Sequence, residues 1–322
     1  MKLLLSISLF LAALIHIHAE VRNNFDNCKK YFYKENVPNG FQGIAKKHLF
    51  NPNDLPDGIT DPNHLASPAY ICQTYDGTSW FATLYDRGRR MPLYSAYTIY
   101  AVKDKDPSEC KRPGAFQLEP QLVYREVDKN MKLTKDAKIV LGKYNKDKGI
   151  DQSKPKNQVP NLLKTSQAID DDYVNTGYQR GHLSPCGHQT LSTEGHKATF
   201  TLTNVVPMEP NLNNKIWSQY EDEMIALTDK LKCTDTHVIA GIVPGNVPIK
   251  KDGLTVPTHI WNAYCCVDNN KKPIKSGAAL VENVAGKQIQ KFDNVVEFQK
   301  ELQRLLGVIH DIKLFDGGCK AQ

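Results

Sequence analysis

The residues of this 322-residue chain best suited to chemistry gather between Tyr178 and Glu223, in YQRGHLSPCGH and, after a gap, TFTLTNVVPMEPNLNNKIWSQYEDE. His182 offers a base, Arg180 a cation, Asn204 and Asn213 amide oxygens, and Glu221 a carboxylate. Phosphodiester hydrolysis needs a base for the water, positive charge at the developing phosphorane and help for the departing oxygen. An unperturbed imidazole titrates near ~6.5 and is largely neutral at extracellular pH. A divalent cation can serve the other two positions. Residue types and order together fit metal-assisted attack on a phosphodiester.

Each of these residues also has a plainer reading. A histidine in a polar loop is commonly a hydrogen-bonded surface residue, and isolated arginines usually sit in solvent. Gly181 lets the backbone approach a neighbour closely or turn sharply. An asparagine at a helix start is favoured as a cap, which suits Asn211 better than Asn213, one residue inside the apolar pattern. Asn204, among strand-like apolar residues, could bond a neighbouring loop. Asn213 and Glu221 lie eight residues apart, about 12 Å along a helix, so both cannot easily ligate one ion. The longer Glu221 would then act through water. A zinc site from His182, Cys186, His188 and His196 fits no common spacing. Asp86-Arg87-Gly88-Arg89 imitates Gln179–His182 without the histidine and is read as a decoy.

The elements that must position this kit are legible in outline. Tyr70–Tyr85 reads as a hairpin about Asp76-Gly77, and Leu93–Val102 as a strand rich in aromatic and branched residues. Leu212, Ile216, Tyr220, Met224, Leu227 and Leu231 recur at helical spacing. Strands follow at His237–Val243, His259–Val267 and Ala278–Val281. A last amphipathic helix carries Val295, Phe298, Leu302, Leu305 and Leu306, with Asp293 as cap and Gly307 as stop. Residues 37–68 read as surface turns, and 104–172, lysine-rich and interrupted by prolines, as irregular excursions. Strands outnumber helices without alternating with them, so the expected class is α+β with a mainly antiparallel central sheet and flanking helices.

The first 19 residues read as a secretory signal: Lys2, the apolar run Leu3–Ile15, then Ala19. That run is too short to span a bilayer, and no later stretch approaches the ~18 apolar residues a span needs. The expected product is secreted. Its 8 cysteines are an even number, which in an exported chain predicts disulfides whose pairing sequence does not give. Cys265 and Cys266 are adjacent on a strand, face opposite ways and should have different partners. The net charge is +6, one unit of it from Lys2, a modest excess that suits a polyanionic partner as well as plain solubility. The expected organisation is a signal at 1–19, an N-terminal extension at 20–69 packed on the domain, and one domain at 70–322.

With these residues in view, the chain resembles the DNA/RNA non-specific endonuclease family, of ββα-metal fold, and within it the secreted vertebrate endonuclease domain-containing branch. The likeness covers roughly Tyr70 to Phe315. The family signature of Asp-Arg-Gly-His, Thr-Asn, Pro, Leu-Asn, Trp and Glu appears as Gln179-Arg180-Gly181-His182, Thr203-Asn204, Pro207, Leu212-Asn213, Trp217 and Glu221. The resemblance implies that His182 is the general base and Asn213 the sole protein ligand of magnesium, with manganese as a substitute. It implies that Glu221 holds the ion's water shell, that Asn204 supports the site and that Arg180 adds positive potential. It also implies an upstream substrate-binding arginine before an acidic-Pro pair; Glu119-Pro120 anchors that match, and Arg112 lies nearest. The expected substrates are DNA and RNA, with 5′-phosphate products. Gln179 departs from the family aspartate, and a neutral amide should order the ion's water less well than an acid. Two rival expectations follow: a weak or inactive nuclease-fold protein that binds nucleic acid or another polyanion, and a secreted module that binds a protein partner.

Overall fold

Strands that bury both faces need apolar residues at every position, and two stretches of this chain supply them. In the computed structural model, which describes residues 21–320 except 42, 47–54, 60, 61, 102–109, 111, 112, 190 and 252, Asp235–Val243 and His259–Val267 lie mid-sheet and are buried almost throughout. The signal and Arg112 fall outside the described residues. The sheet has eight strands, in the order Val21–Arg22, Ala69–Tyr75, Thr78–Asp86, Met91–Tyr100, Asp235–Val243, His259–Val267, Pro273–Glu282 and Gln290–Phe292. Every neighbouring pair is antiparallel. The class is α+β, as the strand-rich pattern predicts.

Side chains alternate across that sheet and recruit a helix to each face. From Asp235–Val243, Ile239 and Val243 meet Phe298 and Leu302 of the C-terminal helix Val295–Leu306. Val238, Ala240 and Ile242 point the other way, against Trp217, Tyr220 and Met224. Burying each of those three large side chains contributes roughly 1.5–3 kcal/mol, which fixes the helical segment Leu212–Lys230 to the sheet. The hairpin forms where expected: Tyr75 pairs with Thr78, and Asp76 (φ 50°) and Gly77 (φ 76°) both take the positive φ of a two-residue type I′ turn.

All eight cysteines pair, as Cys28–Cys72, Cys110–Cys186, Cys233–Cys266 and Cys265–Cys319. Cys265 and Cys266 do have different partners, because neighbouring strand residues face opposite sides. Among the described residues no helix is long and apolar enough to cross a membrane.

Three local expectations need correction. Residues 104–172 are not simply irregular: they contain helices Thr134–Asp147 and Val159–Ser166. The first buries only Ala137, Leu141 and Asn145, too thin a stripe to read by periodicity. In the second, Pro160 sits in the first turn, where its missing N–H removes no helical bond. Within 37–68, Phe41 is not on the surface but packs edge-on to Tyr94 and against Trp261. The cap of the last helix is Asn294, whose side chain accepts from Glu297 N–H at 2.8 Å, and not Asp293; Gly307 ends the helix at φ 65° as expected.

One buried histidine gives the fold a pH dependence. His237 lies between Tyr33 and Thr98 with Asp235 and Lys271 nearby, and burial pushes its pKa down to about 4. An unfolded histidine titrates near ~6.5. Above that pH both states are neutral and His237 contributes nothing to the dependence. Between about 6.5 and about 4 only the unfolded chain takes the proton, so stability should fall by about 3 kcal/mol. Urea midpoints at pH 7.5, 5.5 and 4 should show that loss in the wild type. The His237→Gln variant should show about 3 kcal/mol less of it; equal losses in both would refute the assignment.

Candidate active site

Gln179–His182 pairs antiparallel with Val205–Met208, placing Gly181 opposite Val206 and His182 opposite Val205. The chain then enters a helical segment at Pro210, so strand, strand and helix form one ββα unit. Gly181 is there for close approach. A Cβ at this position would lie 2.5 Å from Met208 Cε and 2.7 Å from Met208 Cβ. Gly181→Ala should therefore destabilise the protein by about 1–3 kcal/mol and displace His182. A thermal melt showing no loss would refute this; combined with Met208→Ala, the two losses should be less than additive.

The helix begins in an unusual way. Glu209 caps it, its Oε2 accepting from Leu212 N–H at 2.7 Å, and Leu212–Trp217 is π-helical before Ser218–Lys230 continues as α-helix. The capping role foreseen for Asn211 is thus filled by Glu209. Neither Asn211 nor Asn213 is spent on the helix end, which removes the structural reading of Asn213. π-Helical turns frequently occur at functional sites.

His182, Arg180, Gln179, Asn213 and Glu221 line one cleft of about 640 Å³. The His182 ring packs in a triangle with Phe116, 5.7 Å away, and Phe200, 5.0 Å away and edge-on. Phe116 arrives there because Gln117 N–H donates to the Phe200 carbonyl at 2.8 Å. The Arg180 guanidinium lies 5.1 Å from the rings of both Phe116 and Tyr173 and donates to Asp170 Oδ1 at 3.0 Å. Its charge is therefore partly neutralised and its plane held. Asn213 Nδ2 donates to Gln179 Oε1 at 2.7 Å.

Glu221 is half-buried, and burial, with Asp222 beside it, pushes its carboxyl up to about 8. His188, also in the cleft wall, fastens this part of the helix. Its Nε2 faces the Glu221 carbonyl at 2.9 Å and its Nδ1 the Tyr97 hydroxyl at 2.9 Å. A carbonyl only accepts, so Nε2 carries the hydrogen and Nδ1 accepts from Tyr97.

Not every expected residue reaches the cleft. Asn204 is fully buried behind it: Oδ1 accepts from Ser184 N–H and Ser95 Oγ, and Nδ2 donates to the Ser184 and Thr199 carbonyls, all within 2.9–3.0 Å. It anchors the chain just after His182 and is not placed to touch a substrate. Arg112 lies between the cleft-lining Cys110 and Pro113, but outside the described residues. Glu119 is buried and accepts from Thr201 Oγ1 at 3.1 Å. In the decoy, Arg87 is buried and donates to the Leu122 carbonyl at 2.8 Å, while Asp86 binds Arg89, so that motif is structural. Cys186 is bonded to Cys110, which removes it as a zinc ligand. Phe116, Phe200, Asp170 and the tether made by His188 carried no sequence signal for a site, since ring packing and backbone acceptors leave no motif.

The cleft's charge bears on a cation. Glu221 and Asp222 both line it, and among the described residues neither pairs with a basic side chain, while Arg180 is shared with Asp170. An ionised Glu221 beside Asp222 would repel a phosphodiester, but without a cation, burial holds the Glu221 carboxyl up at about 8 and so mostly uncharged at neutral pH. A hard divalent cation, were it held by Asn213 Oδ1 with Glu221 acting through water, would favour the ionised form of Glu221 and offset the repulsion, and oxygen donors would suit magnesium. The residues present fit such an ion.

A strand histidine, a close-packed glycine and an asparagine on the following helix define a ββα site. The chain belongs to the DNA/RNA non-specific endonuclease family, whose model matches residues 65–317. It is similar to the human Endonuclease domain-containing 1 protein, with 30% identity over 249 residues, covering 77% of this chain and 40% of that protein. It is also similar to the human Nuclease EXOG, mitochondrial, at 31% over 163 residues, 45% of this chain and 42% of that one. The chain thus spans about two fifths of the length of these curated relatives. A solved EndoG/EndoGI complex is similar at TM-score 0.42 and 17% identity, covering 72% of this chain and 83% of that chain.

Proposed function

We propose that this protein is a secreted, magnesium-dependent endonuclease that hydrolyses phosphodiester bonds of DNA and RNA with little sequence preference and leaves 5′-phosphates. The observation that carries this reading is the convergence of His182, Asn213, Glu221 and Arg180 on one cleft of about 640 Å³. His182 takes the proton of the attacking water, its ring oriented by Phe116 and Phe200. Arg180, its guanidinium 5.1 Å from each of two aromatic rings, faces a phosphate oxygen with the remainder of its planar fork. Asn213 holds the ion by Oδ1, with manganese able to substitute, and Glu221 steadies the ion's surroundings through water. When bound, the cation supplies charge stabilisation at the phosphorane and the leaving oxygen. Contacts to phosphate and none to base edges give low sequence preference. Secretion is supported by the leader-like first 19 residues and by four disulfides, which suit an oxidising compartment.

Digestion of a supercoiled plasmid and of a structured RNA by purified protein, with magnesium and with chelator, tests the proposal. Nicking and linearisation that need the ion are expected. Binding without cleavage across a full magnesium and manganese titration would overturn it.

A further inference from the structure

The position where the family carries an aspartate is occupied by Gln179, and its geometry gives that substitution a use. Gln179 Oε1 accepts from Asn213 Nδ2 at 2.7 Å. A side-chain amide can turn over about its last torsion at little cost, exchanging a carbonyl oxygen for an NH₂ group. An asparagine serving as an ion's only protein ligand is useless in one of those two orientations. An acceptor set against Nδ2 selects the other, and in this structure Gln179 presents its Oε1 there.

We propose that Gln179 is a positioning residue: its side-chain oxygen locks the Asn213 amide so that Asn213 Oδ1 remains facing the cleft. The inference rests on the reading that Asn213 holds the divalent cation. Gln179 is well placed for this duty. It is the first residue of the site strand, paired with Met208, and half-buried, while Asn213 is held one helical turn beyond Glu209 by its own N–H, which donates to the Glu209 carbonyl at 2.9 Å. The lock therefore spans the two arms of the ββα unit, strand to helix. An amide also performs it without adding a further acidic group to a cleft already lined by Glu221 and Asp222. A polyanionic substrate then meets less repulsion than it would with an acid at this position.

The test compares variants at 179 by manganese affinity, read by electron paramagnetic resonance of the free ion. Gln179→Glu keeps an acceptor of the same length and should retain wild-type affinity or bind more tightly. Gln179→Leu keeps the bulk and removes the acceptor; affinity should fall about tenfold or more. A wild-type observation guards against misfolding of the leucine variant. The Asn213 side-chain NH₂ signals, identified by their loss in Asn213→Ser, should exchange with solvent more slowly than those of exposed Asn214. Unchanged manganese affinity in Gln179→Leu, or Asn213 amide exchange as fast as that of Asn214, would overturn the lock. Asn213→Ala separates the two claims. If it binds manganese like the wild type, the ligand reading fails; if it loses the ion while Gln179→Leu does not, the lock alone fails.

Discussion

His182→Ala should reduce phosphodiester cleavage by about 10²–10⁴-fold, the usual loss when a general base is removed. The fold should be nearly unaffected. The histidine is half-buried, and the strand that bears it is held by backbone pairing with Val205–Met208 and by the buried Asn204 amide, neither of which needs the imidazole. Binding should persist as well, because affinity for nucleic acid comes from phosphate contacts and falls with salt. Single-turnover cleavage, a thermal melt and a binding isotherm at two salt concentrations check all three. Activity within a few-fold of wild type would remove His182 from the base's role. Parallel loss of melting temperature would instead make it a structural residue.

Asn213→Ala should be nearly as damaging, and for a separable reason. Charge stabilisation by a bound ion amounts to several kcal/mol, so losing its ligand should reduce turnover about 10³-fold at 1.4 kcal/mol per decade. Helix stability should not suffer. Glu209 caps the segment, and alanine is a better helix former than asparagine by a few tenths of a kcal/mol. Activity and stability would thus move apart, which no capping role for Asn213 would produce. Glu221→Ala should be milder, about 10–100-fold, and raised magnesium should recover part of it, since Glu221 acts through water. Cleavage titrated against magnesium for the three proteins, beside their melting curves, decides this. An Asn213→Ala enzyme with wild-type turnover would refute the ligand assignment.

Sequence alone fixed a good deal here, and the physics says why. The π-helical entry aside, the helix over Leu212–Lys230 is strongly periodic in its apolar residues and the strands at Asp235–Val243 and His259–Val267 are almost continuously buried, the patterns most directly readable from sequence. The Asp76-Gly77 turn and the Gly307 stop are local conformational requirements that nearby sequence states directly. Ordered spacing from Gln179 to Glu221 was enough to name the family that the match over residues 65–317 shows. Apart from the Asn294 cap, a local choice between neighbouring residues, the misread parts are those where tertiary contacts outweigh local pattern. Helix Thr134–Asp147 is held by a two-residue apolar stripe and by Asn145, whose Nδ2 donates to the Asn157 carbonyl at 3.0 Å.

What sequence determined was therefore the list of parts: a histidine after a glycine, an asparagine at the start of a helix, a carboxyl group two turns later, and an even set of eight cysteines. Which cysteines pair, and that Asn204 anchors the chain behind the cleft and does not line it, were decided only by tertiary structure. So was the meeting of Gln179 with Asn213, 34 residues apart in the chain. Local propensity reflects the conformational preferences of a few neighbouring residues. A hydrogen bond between side chains on a strand and a helix depends on how the two pack, and only the folded sheet sets that distance.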